Sequence, residues 1–182
     1  MNTQTKKAPL SPIYLTQDAN PFSTVSLDFI VKLPLSHGYD SILTITNQGC
    51  TKMAIFLPCC ETIDAAGVAQ LYYRHIFPCF GVPAKVITNQ DLQFTSQFMK
   101  ELCTQLRIKQ NISTAYHPCT DGQSERTNQW LEQYFQFWVN HQQDNWVDFL
   151  PTAEYAHNSW QNETTKTTPY QTLMGYNPSA DW

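Results

Sequence analysis

The chain has 182 residues, of which 42% are hydrophobic, 13% aromatic and only 14% charged, against a charged fraction of about 25% in average globular domains. This length and composition predict one globular domain or slightly more, and they exclude a disordered chain, a collagen and a coiled coil. The 11 basic and 15 acidic residues give a net charge of -4, so any nucleic-acid binding has to come from a local site rather than from the whole surface.

The cysteines and the apolar runs restrict the location of the protein. The six cysteines form no CxxC repeat and no zinc-finger spacing with histidine, so we interpret them as free thiols in a reducing compartment. No apolar run approaches the ~20 residues that cross a bilayer, and the first residues lack the hydrophobic region of a signal peptide. The sequence therefore predicts a soluble, intracellular protein with no membrane partner.

The first third of the chain predicts an antiparallel unit. Residues 1–24 are polar and interrupted by prolines, which is typical of an extended leader. Residues 25–33 are β-branched and apolar around a single acid, Asp28, and predict the first strand. Residues 41–46 and 52–57 predict two more strands with turn-forming residues between them.

Helices and short strands alternate in the rest of the chain. The predicted elements are a helix that Thr62 caps, a strand at 84–88, a helix that opens at Thr95 or Ser96, a strand at 108–113, a long amphipathic helix at 122–141 and a last helix at 146–160 that is interrupted at Pro151. This order predicts an α/β fold with a mixed sheet and helices on its faces.

Two acids stand out against this pattern. Asp28 lies in the middle of an apolar strand, and because a buried, unpaired carboxylate costs several kcal/mol, it needs a cation or a strong donor. Glu125 lies in the first turn of the long helix, where an acid favours the helix dipole and needs no further explanation.

Several stretches resemble the catalytic core of integrases from long-terminal-repeat retrotransposons of the Ty3/gypsy type. They are LDFIVKLPLSHGYDSILTIT, HIFPCFGVPAKVITNQDLQFTSQFMKELC, STAYHPCTDGQSERTNQWLEQY, WVDFLPTAEYAHNS and TTPYQTLMGYNP. They occur in the family's order and spacing over residues 26–178. The resemblance implies an RNase H-like, five-stranded mixed sheet with its first three strands antiparallel. It also implies a catalytic core at 25–160 and a C-terminal extension of that core at 161–182.

The resemblance also implies a function and a site. The family processes the 3' ends of element DNA and transfers the strands into host DNA, and three carboxylates hold two Mg2+ or Mn2+ ions for this chemistry. The first carboxylate matches Asp28 and the third matches Glu125. The second position, aligned through the flanking VIT and QFTS, is Asn89, and thirty-five residues separate it from Glu125 as the family's spacing requires.

The asparagine changes what the site can hold. Two Mg2+ ions need anionic oxygen ligands, and Asn89 offers one neutral carbonyl oxygen that cannot bridge two cations. We therefore predict a metal and catalytic set of Asp28, Asn89 and Glu125 with weakened metal binding and impaired activity. Asp91 is a conceivable substitute acid, although its spacing to Glu125 is wrong.

Two other positions near these acids allow more than one interpretation. The family commonly has an aspartate where Asn47 ends the second strand, so Asn47 indicates a degenerating copy or is an ordinary turn residue. We expect Asp121 to cap the long helix and exclude it from the metal set.

The resemblance implies nucleic-acid contacts from Tyr116, His117, Gln123 and Asn128, with Arg126 as a weaker candidate. The loop with Tyr116 and His117 can also be an ordinary proline-containing loop. Four aromatic residues of the long helix predict a core or dimer face more strongly than a base-stacking platform; they are Trp130, Tyr134, Phe137 and Trp138.

The expected partners are the DNA of element ends and targets and further copies of the chain, as a homodimer or higher oligomer. No small-molecule cofactor is expected, and the resemblance implies a nuclear location. The alternative function is a non-enzymatic nucleic-acid-binding or dimerisation module derived from an integrase.

Overall fold

The computed structural model describes residues 20–108 and 122–179. The strands are β1 (Thr24–Ile30), β2 (Ser41–Asn47), β3 (Ala54–Cys59) and β4 (Lys85–Thr88), and the helices are α1 (Ala65–His75), α2 (Phe77–Phe80), α3 (Leu92–Leu106), α4 (Gly122–Trp138), α5 (Trp146–Ser159) and α6 (Pro169–Met174). Within these ranges no helix combines the length and the hydropathy needed to span a membrane.

The strands form one mixed sheet in the order β3-β2-β1-β4. β2 is antiparallel to both β1 and β3, and β4 is parallel to β1. The predicted α/β class and the three antiparallel strands at the start of the fold are thus confirmed. The fifth predicted strand falls, after Ile108, on residues outside the described ranges, and so does most of the leader at 1–24.

Alternation along the strands gives the sheet two different faces. On one face, side chains such as Leu27, Leu43 and Leu57 form the larger apolar core with α1 and α3. On the other face, Ile30, Ile42 and Phe56 pack against α4 and α5. Asp28 has the same parity as Ile30 and therefore lies on the α4 side of β1.

Two strands differ from their predicted bounds. β1 ends at Ile30 rather than at residue 33, because Lys32 has a φ of 61° that no extended strand accepts. β3 begins two residues later than predicted, after Lys52 with a φ of 57°, and it continues through Pro58. Proline is acceptable there because β3 is the outer strand and Pro58 needs no N–H on its free side.

Four helix predictions are corrected. Asp64, not Thr62, caps α1 by accepting the Gly67 N–H at 2.8 Å. α3 begins at Leu92 rather than at Thr95, and α4 ends at Trp138 rather than at residue 141. α5 runs through Pro151 without interruption, since its buried residues on both sides of the proline remain packed against the sheet.

Side chains of α5 close the free edge of β3. The Asn158 amide accepts the Ala54 N–H at 3.0 Å and donates to the Ala54 carbonyl at 2.7 Å. Glu154 Oε2 accepts the Phe56 N–H at 3.0 Å, and the next outward position, Pro58, has no N–H. These contacts occupy the outward-facing N–H groups at which another strand could pair.

Burial of the Glu154 carboxyl makes this edge sensitive to pH. Removal from water raises the pKa of Glu154 above its ordinary value of 4.5, and the Phe56 N–H only partly opposes that shift. The folded state therefore holds the Glu154 proton more tightly than the unfolded chain does, and protonated Glu154 stabilises the fold. This stabilisation is complete below pH 4.5 and declines as the pH rises through the raised pKa of the folded state.

Glu154→Gln should remove this decline, because glutamine keeps an oxygen for the Phe56 N–H and carries no charge. Glu154→Ala should instead lower the free energy of unfolding by about 1–3 kcal/mol, since it leaves that N–H unsatisfied. Urea unfolding at several pH values between about 4 and 7 measures both effects. Glu132→Gln on the exposed side of α4 is the matched control, and a Glu154→Gln profile that parallels the wild type would contradict the assignment.

Candidate active site around Asp28

Asp28 accepts hydrogen bonds from β1, from the residue that follows β4 and from α4. Its Oδ1 accepts the Phe29 N–H at 2.9 Å and the Asn89 side-chain amide at 3.3 Å. Its Oδ2 accepts the Asn128 side-chain amide at 2.9 Å. The sequence predicted a cation or a strong donor at Asp28, and the two side-chain amides and the backbone N–H are donors of that kind.

The sheet register explains why Asn89 reaches Asp28. β4 runs parallel to β1 with Leu27 opposite Thr88, so the next residue of each strand lies at the same edge. Asn89 comes directly after the last residue of β4 and is exposed. Its Oδ1 accepts a hydrogen bond from the Gln90 side chain at 3.4 Å, while its NH2 group faces Asp28.

Two polar contacts align α4 with β1. Ser26 Oγ and Ser124 Oγ lie 2.6 Å apart in a buried hydrogen bond, and the Asp28–Asn128 bond is the second contact. Two residues along a strand span about 6.6 Å and four residues along a helix span about 6 Å. The spacing of the two serines from Asp28 and Asn128 therefore matches, and the first two turns of α4 lie along β1.

The amide of Asn128 has a defined orientation. If its oxygen faced Asp28, two acceptors would meet without a hydrogen between them, so the NH2 group has to face the carboxylate. Among the described residues, Asn128 Oδ1 is buried without a hydrogen-bond partner. Asn128 was predicted as a nucleic-acid contact, whereas in the structure its donor side holds Asp28.

Glu125 lies in the first turn of α4 and is exposed. It is three residues before Asn128, on the flank of the helix surface that contacts β1. No hydrogen bond joins its carboxylate to Asp28 or Asn89 in the described residues. Across the ranges that the structure describes, no three His, Cys, Asp or Glu side chains form a metal-binding group.

Other predicted residues have structural contacts. Asp91 Oδ1 accepts the Phe94 N–H at 2.7 Å and caps α3, so its carboxylate is occupied away from Asp28. Asn47 is buried, and its Oδ1 accepts the Gly49 N–H at 3.0 Å as an ordinary turn residue does. The Gln123 side chain donates to the Asn47 carbonyl at 3.3 Å. Tyr116, His117 and Asp121 lie outside the described residues.

The aromatic residues of α4 divide into two groups. Trp130 and Tyr134 are partly buried against the α5-side core, with ring centroids 5.4 Å apart. Phe137 and Trp138, in contrast, are 84% and 59% exposed. The core interpretation therefore applies to the first pair.

Sequence reasoning missed the Ser26–Ser124 contact. The available signal was positional, because Ser26 lies two residues before Asp28 on the strand and Ser124 four residues before Asn128 on the helix. Small hydroxyl residues at such matched spacings indicate close approach of a helix to a strand only once the two elements are known to be neighbours.

Asn128→Asp should lower the free energy of unfolding by about 2 kcal/mol near neutral pH, because it removes a donor to a carboxylate and places two negative charges together. The deficit should shrink in acid, where one carboxyl is protonated and can donate to the other. Urea unfolding across pH measures it, with Gln129→Glu on the neighbouring exposed position as the control of equal charge. An equal, pH-independent effect of both changes would refute the role of Asn128.

Comparisons with known proteins agree with this architecture. The sequence is 32% identical over 171 residues to the Tf2-3, Tf2-4 and Tf2-5 transposon polyproteins of Schizosaccharomyces pombe, and the match covers 94% of this chain. The chain spans 13% of the length of these relatives. No protein-family model matches the sequence.

Solved structures share the fold at low sequence identity. The HTLV-2 integrase catalytic core domain in complex with magnesium, in its trimeric form, has a TM-score of 0.57 at 16% identity, over 84% of this chain and 97% of that chain. A chain of the simian T-cell lymphotropic virus intasome in complex with PP2A regulatory subunit B56 gamma has a TM-score of 0.59 at 17% identity, over 89% of this chain and 59% of that chain. The sequence is thus related to one part of these transposon polyproteins, and its fold is that of the solved integrase core domain.

Proposed function

We propose that this chain is the catalytic core of an integrase that acts on DNA, and that Asn89 impairs its metal-dependent chemistry. The proposed reaction is 3'-end processing of element DNA and transfer of its strands into target DNA. The observation that carries the proposal is the position of the Asp28 carboxylate at the shared edge of β1 and β4, where the Asn89 amide donates to it at 3.3 Å.

The donor set at this edge fits one divalent ion better than a pair. Carboxylate and amide oxygens from Asp28, Asn89 and Glu125 are ligands of the kind that Mg2+ or Mn2+ prefers. Both oxygens of Asp28, however, accept N–H groups, and Asn89 directs its NH2 group rather than its oxygen at the carboxylate. When bound, divalent ions would polarise a phosphodiester and activate the attacking hydroxyl.

The residues of the chain have separate tasks in this proposal. Asp28 is the main anionic ligand, and the Phe29 N–H and the Asn128 amide orient its two oxygens. Glu125, exposed on the first turn of α4, supplies the second carboxylate. Asn89 keeps its position and lacks the charge that would balance a second cation.

The partners proposed for the chain follow from its relatives. DNA of element ends and targets is the proposed substrate, contacted through Tyr116, His117 and Gln123, while Asn128 holds Asp28. The HTLV-2 core occurs in trimeric and dimeric forms, and we propose a homodimer or higher oligomer here, together with a nuclear location. The competing proposal is a non-enzymatic binding module, which the amide-held Asp28 also favours.

Asn89→Asp tests the proposed function directly. The wild-type chain should show little or no strand transfer with Mg2+ or Mn2+, and Asn89→Asp should gain metal-dependent joining of a labelled DNA end to a target duplex. The double variant Asp28→Asn with Asn89→Asp should lose the gain, because it removes the main anionic ligand. Robust joining by the wild type would refute the impairment, and inactive Asn89→Asp would favour the binding module.

Thermal unfolding provides a second readout that does not depend on turnover. In EDTA, Asn89→Asp should lower the melting temperature, because two carboxylates then replace a hydrogen-bonded pair. Adding Mn2+ should restore it through binding to the folded state. Gln97→Glu, which adds the same charge at an exposed position of α3, should show no response to Mn2+; an equal response of both variants would exclude a metal site at Asp28.

A further inference from the structure

A groove of about 540 Å³ lies on the side of α4 that does not contact Asp28. Its walls come from α4, the end of α5, the loop that follows α5 and the turn between β2 and β3. The residues that determine its chemistry are Lys52, Arg126, Trp130, His157, Trp160 and Glu163. The volume is in the range of small-ligand sites, about 300–1,000 Å³.

Helix geometry separates this groove from the candidate active site. Ser124 and Asn128 are four residues apart and face β1, while Arg126 and Trp130, also four apart, line the groove. A step of two residues turns an α-helix by about 200°, so the two pairs lie on nearly opposite sides of α4. The groove therefore lies on a different face of α4 from the side that holds Asp28.

The groove is locally cationic in a chain of negative net charge. Lys52 and Arg126 supply two cations, and Glu163 is the acid among the residues that line it. Lys52 Nζ donates to the Gln48 carbonyl, which holds the ammonium at the turn. The groove therefore has the charge to bind an anion.

Aromatic rings form the rest of the surface. Trp130 and His157 meet edge to face with ring centroids 4.9 Å apart and form one wall of the groove. Burial lowers the pKa of His157, so this ring is neutral at physiological pH. Trp160 follows α5 in an extended conformation and remains 75% exposed at the rim, which leaves a large ring open to a planar ligand.

We propose that this groove binds a short single-stranded segment of nucleic acid, with a base on Trp160 and phosphate contacts from Lys52 and Arg126. Cations combined with aromatic platforms are the usual means of binding single strands. A duplex hides its base faces in the stack, so the exposed tryptophan favours an unpaired end. This inference extends the proposed function, because an integrase core would handle DNA ends, but the groove itself requires no metal.

Binding of a fluorescently labelled oligothymidine, measured by anisotropy in EDTA, tests the groove. Trp160→Ala should weaken binding about 10-fold through lost stacking. Arg126→Gln should weaken it and reduce the slope of log affinity against log salt by about 0.7, the value for one lost phosphate contact on a single strand. Trp138→Ala and Lys100→Gln, an exposed tryptophan and an exposed lysine outside the groove, should bind as the wild type does.

Each other outcome overturns the proposal in a distinct way. If Trp160→Ala binds the oligothymidine as tightly as the wild type does, Trp160 is not a stacking site. If a duplex binds as tightly as the single strand and Trp160→Ala does not weaken that binding, the groove has no preference for single strands. Competition by polyglutamate as effective as by unlabelled oligothymidine would instead identify a site for acidic peptides. Circular dichroism establishes that the variants are folded.

The proposed groove and the proposed integrase function can be refuted separately. Asn89→Asp should leave oligothymidine binding in EDTA unchanged, since Asn89 lies outside the groove. A gain of strand transfer by Asn89→Asp together with unchanged binding by Trp160→Ala would refute the groove alone. Inactive Asn89→Asp together with weakened binding by Trp160→Ala would refute the integrase chemistry alone.

Discussion

The contacts of one carboxylate determine how three elements of this fold meet. Asp28 lies in an apolar strand, and its charge has to be compensated where it stands. The compensation comes from the end of β4 through Asn89 and from α4 through Asn128. These two bonds, with the buried Ser26–Ser124 contact, fix the edge of the sheet and the direction of α4 together.

Amide donors and metal ions compensate the same charge with different consequences. If position 89 were an aspartate, two negative groups would meet at the edge of the sheet, and the folded state would gain stability from any bound cation. With Asn89 the carboxylate is satisfied by N–H groups of the chain itself. On the proposed function, the substitution therefore exchanges metal dependence for a site that is stable without metal.

The sequence predicted the elements with strong local signals. The three antiparallel strands and the α/β class follow from apolar runs and turn residues, whereas the position of Asn89 beside Asp28 was implied by the family resemblance. The helix starts were less predictable because several neighbouring side chains can each accept the first N–H groups of a helix. Asp64 and Asp91 accept N–H groups three residues later, and nearby threonines and serines offer the same chemistry in the sequence.

The site contacts were predictable only in part, because they join residues 61 to 100 positions apart. The position of Asp28 in an apolar strand predicted that it needs hydrogen-bond donors, but no nearby sequence signal identified Asn128 as one of them. The continuation of α5 through Pro151 is a similar case, since the gain from packing the helix against the sheet exceeds the loss of one backbone bond. Local rules therefore fail here where tertiary contacts decide.

The two faces of α4 also explain how a chain of negative net charge could bind nucleic acid, which is itself negatively charged. A chain with net charge -4 cannot attract nucleic acid through its whole surface, so the cations it has must be concentrated. Lys52 and Arg126 lie in one groove with Trp160, while the opposite side of α4 is occupied by hydrogen bonds to β1. Because the β1 side fixes the position of the helix, it also fixes where Arg126 and Trp130 lie in the groove. The polar contacts at Asp28 would thus position the proposed nucleic-acid groove without taking part in it.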